Sequence, residues 1–124
     1  MRLVKGAYKE PKTVAYQGKS EVDSNYVQLM LLLLARGNFP AIASHDEAII
    51  QAACKYVRAH GISRDAFEFQ MLYGIRRDLQ EKLVRQGYHM RVYVPYGSQW
   101  YPYLMRRLAE RPANLMFVMS NAFR

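Results

Sequence analysis

The sequence predicts an α/β fold in which short parallel strands alternate with helices, and three observations lead to this prediction. Short apolar runs end at turn-forming residues, and each is followed by a segment with helical periodicity. This alternation occurs four times, at spacings that suit parallel strands with helical crossovers. Polar, aromatic and glycine residues collect just after the strands, where α/β folds place their chemistry. The pattern favours a (β/α)8 barrel, and a doubly wound sheet is the alternative.

The first strand is predicted at residues 2–5 and ends at Gly6, after which a loop rich in turn residues follows. Residues 20–24 offer several N-cap side chains in front of a nearly continuous apolar run. The first helix is therefore predicted at residues 26–36, with Gly37 ending it.

The second and third units repeat the same order. A short strand is predicted at residues 41–44, and acidic residues from Asp46 onward begin a helix that ends at His60. Residues 67–72 form the third predicted strand, and an amphipathic helix at residues 75–86 follows it. Each unit is long enough for a strand, a crossover helix and two turns.

The fourth unit contains a strand at residues 90–94 and a helix at residues 101–110, with Pro102 tolerated in the first helical turn. The tail at residues 113–124 carries an apolar run that fits either a last short helix or a strand.

Composition limits the functions open to the chain. Its 124 residues suit one modest domain, and the excess of 18 basic over 10 acidic residues gives a net charge of +8. No zinc-finger spacing, RNA-binding aromatic motif or long basic run accompanies that charge, so no nucleic-acid partner is predicted. The single cysteine, Cys54, excludes an intrachain disulfide and suits a reducing, cytoplasmic location. The apolar run at residues 27–35 is far shorter than the ~20 residues of a membrane span, but peripheral membrane contact stays open.

The last strand and helix carry the residues best suited to a ligand. Tyr103, Arg106 and Arg107 have helical spacings of i, i+3 and i+4, so they share one face, and Tyr93 lies near the end of the preceding strand. Two guanidiniums between two phenols suit a small carboxylate, because guanidinium forks bind carboxylates bidentately. From spacing alone, solvated helix charges and core tyrosines are the simpler interpretation.

This segment resembles the C-terminal signature of the proline dehydrogenases. The resemblance lies in Tyr93, the Pro-x-Gly turn that follows it, and the pattern Tyr103-x-x-Arg106-Arg107. It implies that the arginine pair binds the carboxylate of L-proline and that Tyr93 and Tyr103 line the substrate site.

A second motif, from Arg2 to Tyr8, is very similar to the family's motif on the fifth barrel strand, where the flavin lies. The resemblance implies a catalytic Arg2 beside the flavin ring, where a fixed cation stabilises the negative charge gained on reduction. The residues it assigns to the FAD site are Arg2, Val4, Lys5, Gly6 and Ala7. The alternative is an ordinary strand that ends in a solvated lysine.

Further site residues follow from the same resemblance. Ser44 and His45 precede a helix start, where backbone N–H groups favour a phosphate, and the matching pair in the family contacts FAD. Leu72, in a third matching motif at residues 67–74, is assigned to the substrate site. Glu110 is assigned to the cofactor, with an ion pair to the arginines of its own helix as the alternative. No metal site is predicted, because the histidines lack partners at metal-ligand spacing.

Two sets of side chains are expected inside the barrel. Glu68 and Gln70 alternate with apolar residues and predict one polar strand face. Leu3, Ile42 and Val92 are expected to supply apolar side chains to the same interior.

The resemblance covers residues 2–118 and only the second half of the family's barrel. The family's first four strands, with a substrate-binding lysine and a supporting aspartate, have no counterpart here. The implied fold is the C-terminal half of a (β/α)8 barrel, about four βα units in one partial domain at residues 1–124, and the chain is expected to be a truncated product or a fragment.

The implied function is flavin-dependent oxidation of L-proline to 1-pyrroline-5-carboxylate, with electrons passed to a quinone. The alternatives are an inactive fragment or a non-catalytic module that binds flavin or a carboxylate, and, less favoured, a basic nucleic-acid-binding domain.

Overall fold

The computed structural model describes residues 1–6 and 10–109. Its elements are β1 (Arg2–Leu3), α1 (Lys19–Arg36), β2 (Ala41–Ala43), α2 (Glu47–Ala59), a short 3-10 helix (Arg64–Ala66), β3 (Glu68–Leu72), α3 (Arg77–Arg85), β4 (Met90–Tyr93) and α4 (Trp100–Ala109). The four strands form one parallel sheet in the order β1-β2-β3-β4. The predicted α/β class and the parallel pairing are confirmed, and the strand bounds agree with the prediction to within about two residues.

Packing divides the described chain into two units. The first unit contains residues 1–5 and 10–93, and therefore the sheet with α1, α2 and α3. The second unit contains Gly6 and the segment from Val94 through α4. The predicted tail at residues 113–124 lies outside the described residues.

The first helix begins earlier than the sequence predicted. It starts at Lys19 because Gly18 is its N-cap, and the Gly18 N–H donates to Oε2 of Glu21 at 3.1 Å. The polar residues at 20–24, interpreted as caps, therefore lie within its first turns. Its end was predicted correctly, since the N–H of Gly37 donates to the Leu33 carbonyl at 2.7 Å.

The pairing register separates the sheet into two faces. Leu3, Ile42, Phe69 and Met90 lie side by side on one face, with Met71 beside Val92 on the same face. This is the face that packs against the helices, because Ile42, Phe69 and Met71 belong to the buried core. The expectation that Leu3, Ile42 and Val92 point into a barrel interior was therefore wrong.

The opposite face carries the polar residues. Arg2, Glu68, Gln70, Arg91 and Tyr93 occupy register positions on this face, which confirms the polar face predicted from Glu68 and Gln70. Side chains on a strand alternate between the two faces, so each strand residue belongs either to the polar face or to the core face.

The core forms between the sheet and three helices. The helices contribute their apolar stripes: Tyr26, Met30 and Leu34 from α1, Ile49, Ile50, Ala53, Cys54 and Val57 from α2, and Leu79 and Leu83 from α3. Full burial of each large side chain stabilises the fold by about 1.5–3 kcal/mol. Cys54 is a buried free thiol, as predicted from its place on the apolar face of α2.

None of the described helices combines the length and the apolar character that a membrane crossing requires.

Candidate functional site

The carboxyl ends of the four strands lie along one edge of the parallel sheet, where α/β folds bind ligands. Leu72 and Tyr93 end β3 and β4 and are register partners, and the N–H of Tyr73 donates to the Tyr93 carbonyl at 2.9 Å. The Leu72 side chain is half-buried, whereas that of Tyr93 is 51 % exposed. The structure therefore brings two predicted substrate-site residues together at this edge.

Arg2 lies on the polar face of β1, opposite Ala41 in the register, and its side chain is exposed. Val4 follows the strand and is 49 % exposed. At Gly6, an added Cβ would meet no atom within 4 Å. Among the predicted cofactor residues, these three thus present accessible surface to a ligand.

His45 connects the ends of β2 and β3. Its Nε2 accepts a hydrogen bond from the Leu72 N–H at 2.9 Å. A ring nitrogen that accepts must carry no proton, so this imidazole is neutral with its hydrogen on Nδ1. The ring therefore fixes the backbone of Leu72 at the strand end. The neighbouring Ser44 is buried, and its Oγ accepts from the Asp46 N–H at 3.1 Å.

Lys5 is buried instead of solvated, so the alternative interpretation of this motif was wrong on that point. Its side chain is 7 % exposed, and its ammonium pairs with Asp23 of α1 and, at 3.4 Å, with Asp46. The ammonium also lies 5.9 Å from the centroid of the Tyr26 ring. Hydrogen bonds from Lys19 and from Lys5 lower the pKa of Asp23. These contacts join the end of β1 to α1 and to the N-cap of α2.

Tyr26 joins the ends of β1 and β2. Its hydroxyl lies 3.0 Å from the Leu3 carbonyl and 2.9 Å from the Ala43 carbonyl, and its single hydrogen is shared between these two acceptors. Burial raises the pKa of Tyr26 above its ordinary value, so the phenol keeps the proton that both contacts need.

The turn between β3 and α3 contains a left-handed residue that is not glycine. Arg76 has φ 52° and ψ 48°, a conformation that costs about 1–3 kcal/mol and persists only where surrounding contacts hold it. Its Nη2 lies 3.0 Å from Glu47 Oε2 and 3.1 Å from Asp78 Oδ2, and these carboxylates raise the pKa of Arg76. Because Arg76 is left-handed, α3 begins at Arg77 and not at Ile75 as predicted, and Ile75 is buried within the turn.

A second charged group lies on the polar face of the sheet. Arg91 contacts the Glu68 carboxylate through Nε at 2.7 Å and Nη2 at 3.1 Å, and Gln70 Nε2 donates to the same carboxylate at 2.6 Å. These hydrogen bonds, led by that from Arg91, lower the pKa of Glu68. The carboxylate is thus held ionised and fully engaged within the sheet.

The fourth helix contains Arg106 and Arg107, the arginine pair predicted to bind a carboxylate, which we call the carboxylate clamp. Tyr103 is half-buried, Arg106 is exposed, and Arg107 is the next residue of the same helix. The predicted cofactor residues Ala7 and Glu110 lie outside the described residues.

Sequence reasoning missed the side chains that hold the strand ends together. Asp23, Tyr26 and Arg76 act through partners far away in the sequence, and no local pattern indicated those partners. Asp46 carried a usable signal, since an aspartate directly before a helical run predicts the N-cap that its hydrogen bond to the Ala48 N–H confirms.

The fold defines an α/β protein with a parallel sheet, and the carboxyl edge of that sheet is the candidate ligand site. A family model described as Proline dehydrogenase matches residues 1–120. The chain is 57 % identical over 120 residues to "Proline dehydrogenase" of Deinococcus radiodurans, covering 97 % of this chain and 39 % of that protein. It is 54 % identical over 120 residues to "Proline dehydrogenase 2" of Bacillus subtilis strain 168, covering 97 % of this chain and 40 % of that protein.

Solved structures of proline utilization A (PutA) resemble the chain in fold. The crystal structure of PutA from Bdellovibrio bacteriovorus inactivated by N-propargylglycine matches with a TM-score of 0.77 and 37 % identity, over 86 % of this chain and 13 % of that one. A structure of PutA with proline bound in remote sites matches with a TM-score of 0.75 and 36 % identity, over 94 % and 13 %. The chain belongs to the proline dehydrogenase family, and it spans about two fifths of the length of the curated relatives it matches.

Proposed function

We propose that this chain is the C-terminal half of a (β/α)8 barrel and that the whole protein oxidises L-proline to 1-pyrroline-5-carboxylate. The observation that carries the proposal is the 57 % identity over 120 residues to a protein named proline dehydrogenase. The strand order β1-β2-β3-β4 supports the barrel, because a doubly wound sheet reverses its order at a switch point.

FAD is the proposed cofactor. The predicted residues fit it, except that the side chain of Lys5 is not available for the contact assigned to it. Arg2 and Val4 are accessible, and Gly6 leaves open space where a side chain would stand. Lys5 uses its ammonium within the protein, so we assign its cofactor contact to its backbone. A bound flavin would supply the two-electron acceptor for the oxidation.

Ser44 and His45 contribute to the same proposed cofactor site, at the start of α2. The Ser44 hydroxyl accepts from the Asp46 N–H, which leaves its own hydrogen for a phosphate oxygen. His45 is held at the strand end by its hydrogen bond with the Leu72 N–H, and its place in the proposed cofactor site is assigned by resemblance. Ala7 and Glu110 complete the proposed set by resemblance.

The substrate carboxylate is proposed to bind Arg106 and Arg107, whose forks match its two oxygens. Leu72, Tyr93 and Tyr103 form the proposed walls of the pocket. The oxidation would remove a hydride from C5 of proline and a proton from its nitrogen, which would form the C5–N double bond, and a bound flavin would supply the acceptor for the hydride. Arg2 would stabilise the negative charge that accompanies reduction.

A quinone is the proposed electron acceptor, which suits a cytoplasmic protein with peripheral membrane contact. The test uses the complete protein that contains this segment, purified without added cofactor. We expect bound FAD and reduction of a dye that depends on L-proline. Loss of proline-dependent reduction in Arg106→Met, with FAD retained, would support the clamp. A complete protein that binds no flavin and does not oxidise proline would overturn the proposal.

A further inference from the structure

An open cavity of about 550 Å3 lies beside the carboxyl end of α2 and the short 3-10 helix that precedes β3. Its lining includes Gly61, which follows α2, and Gly87, which precedes β4. The cavity therefore lies at the amino ends of the strands, away from the edge where the proposed proline site is built. No step of the proposed function uses it.

Two arginines line this cavity, and neither Arg58 nor Arg64 forms an ion pair with any acidic side chain of residues 1–6 or 10–109. The Arg64 guanidinium lies 5.3 Å from the centroid of the Tyr88 ring, and that ring is buried in the core. The ring contact holds the cation in place, and a guanidinium has five N–H donors, more than a contact with one tyrosine can use.

Gly87 makes room for this arrangement. It has φ +85°, and an added Cβ would lie 3.3 Å from Nη1 of Arg64. A side chain at this position would crowd the guanidinium and strain the backbone. The glycine thus lets the chain pass close to the charged group.

The remaining polar groups of the lining also favour an anion. Ser63 Oγ accepts from the Asp65 N–H at 3.2 Å, which leaves the hydroxyl hydrogen to donate. Asp65 contributes a carboxylate, but its Oδ1 lies 2.7 Å from Nε2 of His89 and is engaged there. Two guanidiniums therefore outweigh one partnered carboxylate.

We propose that this cavity binds a phosphate group, free or carried by a small molecule. Guanidinium forks bind phosphate oxygens in pairs, and the Ser63 hydroxyl adds a third donor. A phosphate can carry two negative charges, which matches two guanidiniums better than a single carboxylate does. The cavity is much larger than one phosphate, so it has room for the rest of a small phosphorylated molecule. The net charge of +8 adds a long-range attraction for anions.

The test is an NMR titration of the 15N-labelled full chain with inorganic phosphate at constant ionic strength. We expect saturable shifts of the Gly61, Ser63 and Gly87 amides. Arg58→Met removes one charged donor from an exposed position and should weaken binding about tenfold. Arg36→Met is the matched control, because it removes an exposed arginine from the last turn of α1 as Arg58→Met does from α2. It should leave the affinity unchanged.

Arg64→Lys provides an independent variant that keeps the charge and removes the fork. We expect it to weaken phosphate binding about tenfold while its amide spectrum stays that of a folded chain. Sodium acetate at the same ionic strength should produce clearly weaker shifts. Shifts that do not saturate, equal binding of acetate, or unchanged affinity in both Arg58→Met and Arg64→Lys would overturn the proposal.

Discussion

Replacing Lys5 by methionine tests whether its buried ammonium holds the end of β1. The side chain is 7 % exposed and pairs with Asp23 and Asp46, whose side chains are 26 % and 30 % exposed. Removing one partner of a buried ion pair costs about 3–5 kcal/mol, because the other charge stays buried without compensation. Both carboxylates are partly solvated here, and Lys19 still pairs with Asp23, so we expect the lower end, about 3 kcal/mol.

The assay is urea unfolding of the full chain followed by far-UV circular dichroism, with the wild-type chain measured beside the variant. Lys55→Met is the matched control, because Lys55 is exposed on α2 and the substitution removes the same charge. The control should change the free energy of unfolding by less than about 0.5 kcal/mol. A Lys5→Met chain as stable as the control would refute the reasoning, because the ammonium would then contribute no net stability.

Three further predictions concern pH and the proposed reaction. The pKa of Asp23 is lowered in the folded chain, so its ion pairs stabilise the fold above the ordinary aspartate pKa and this contribution is lost as the pH falls below about 4. When the free energy of unfolding is measured by urea titration at several pH values, Asp23→Asn should lose less stability below pH 4 than the wild-type chain does. The same dependence on pH in both chains would contradict the assignment. In the complete enzyme, Arg106→Met or Arg107→Met should weaken proline binding roughly ten- to a hundredfold while FAD stays bound, and wild-type proline affinity in both variants would exclude the clamp. Arg2→Ala should lower kcat more than it raises KM, whereas a change in KM alone would argue against its role beside the flavin.

The arrangement of elements could be predicted because its signals are local. Apolar runs of strand length, helical periodicity and glycine stops lie within each unit, and the structure places the strands in their sequence order. The start of α1 was missed for a local reason as well. Gly18 has no capping side chain, and Glu21 supplies the oxygen that receives its N–H.

The left-handed turn at Arg76 could not be predicted from its neighbourhood. The segment from Ile75 to Asp78 has an ordinary helical pattern, and one of the two carboxylates that Arg76 contacts is Glu47, 29 positions earlier in the chain. The same reason applies to the Lys5 pairs, which join residues 18 and 41 positions apart. Local patterns contain no information about which distant carboxylate a cation will meet.

The wrong prediction of which sheet face carries the apolar side chains has a different cause. Leu3, Ile42 and Val92 are apolar, and an apolar side chain on a strand fits a barrel interior as well as the layer between sheet and helices. The register decides between them, because Ile42 pairs with Phe69 of the core, and Glu68 and Gln70 must then face the other way. A buried polar side chain costs free energy unless it is paired, and Arg91 is the partner of the buried Glu68 carboxylate.

At the carboxyl edge of the sheet, the side chains that hold the strand ends in place differ from the exposed side chains proposed to contact a ligand. Lys5 and Tyr26 direct their polar groups to other parts of the protein and hold the strand ends at fixed positions. Arg2 and Tyr93 lie on the same edge with exposed side chains. Because a binding site needs groups that are positioned by their neighbours and still accessible, this division explains how exposed residues on short strands can be held in place for a ligand. It also supports the proposal that Lys5 would contact the cofactor through its backbone, because its ammonium is paired within the protein.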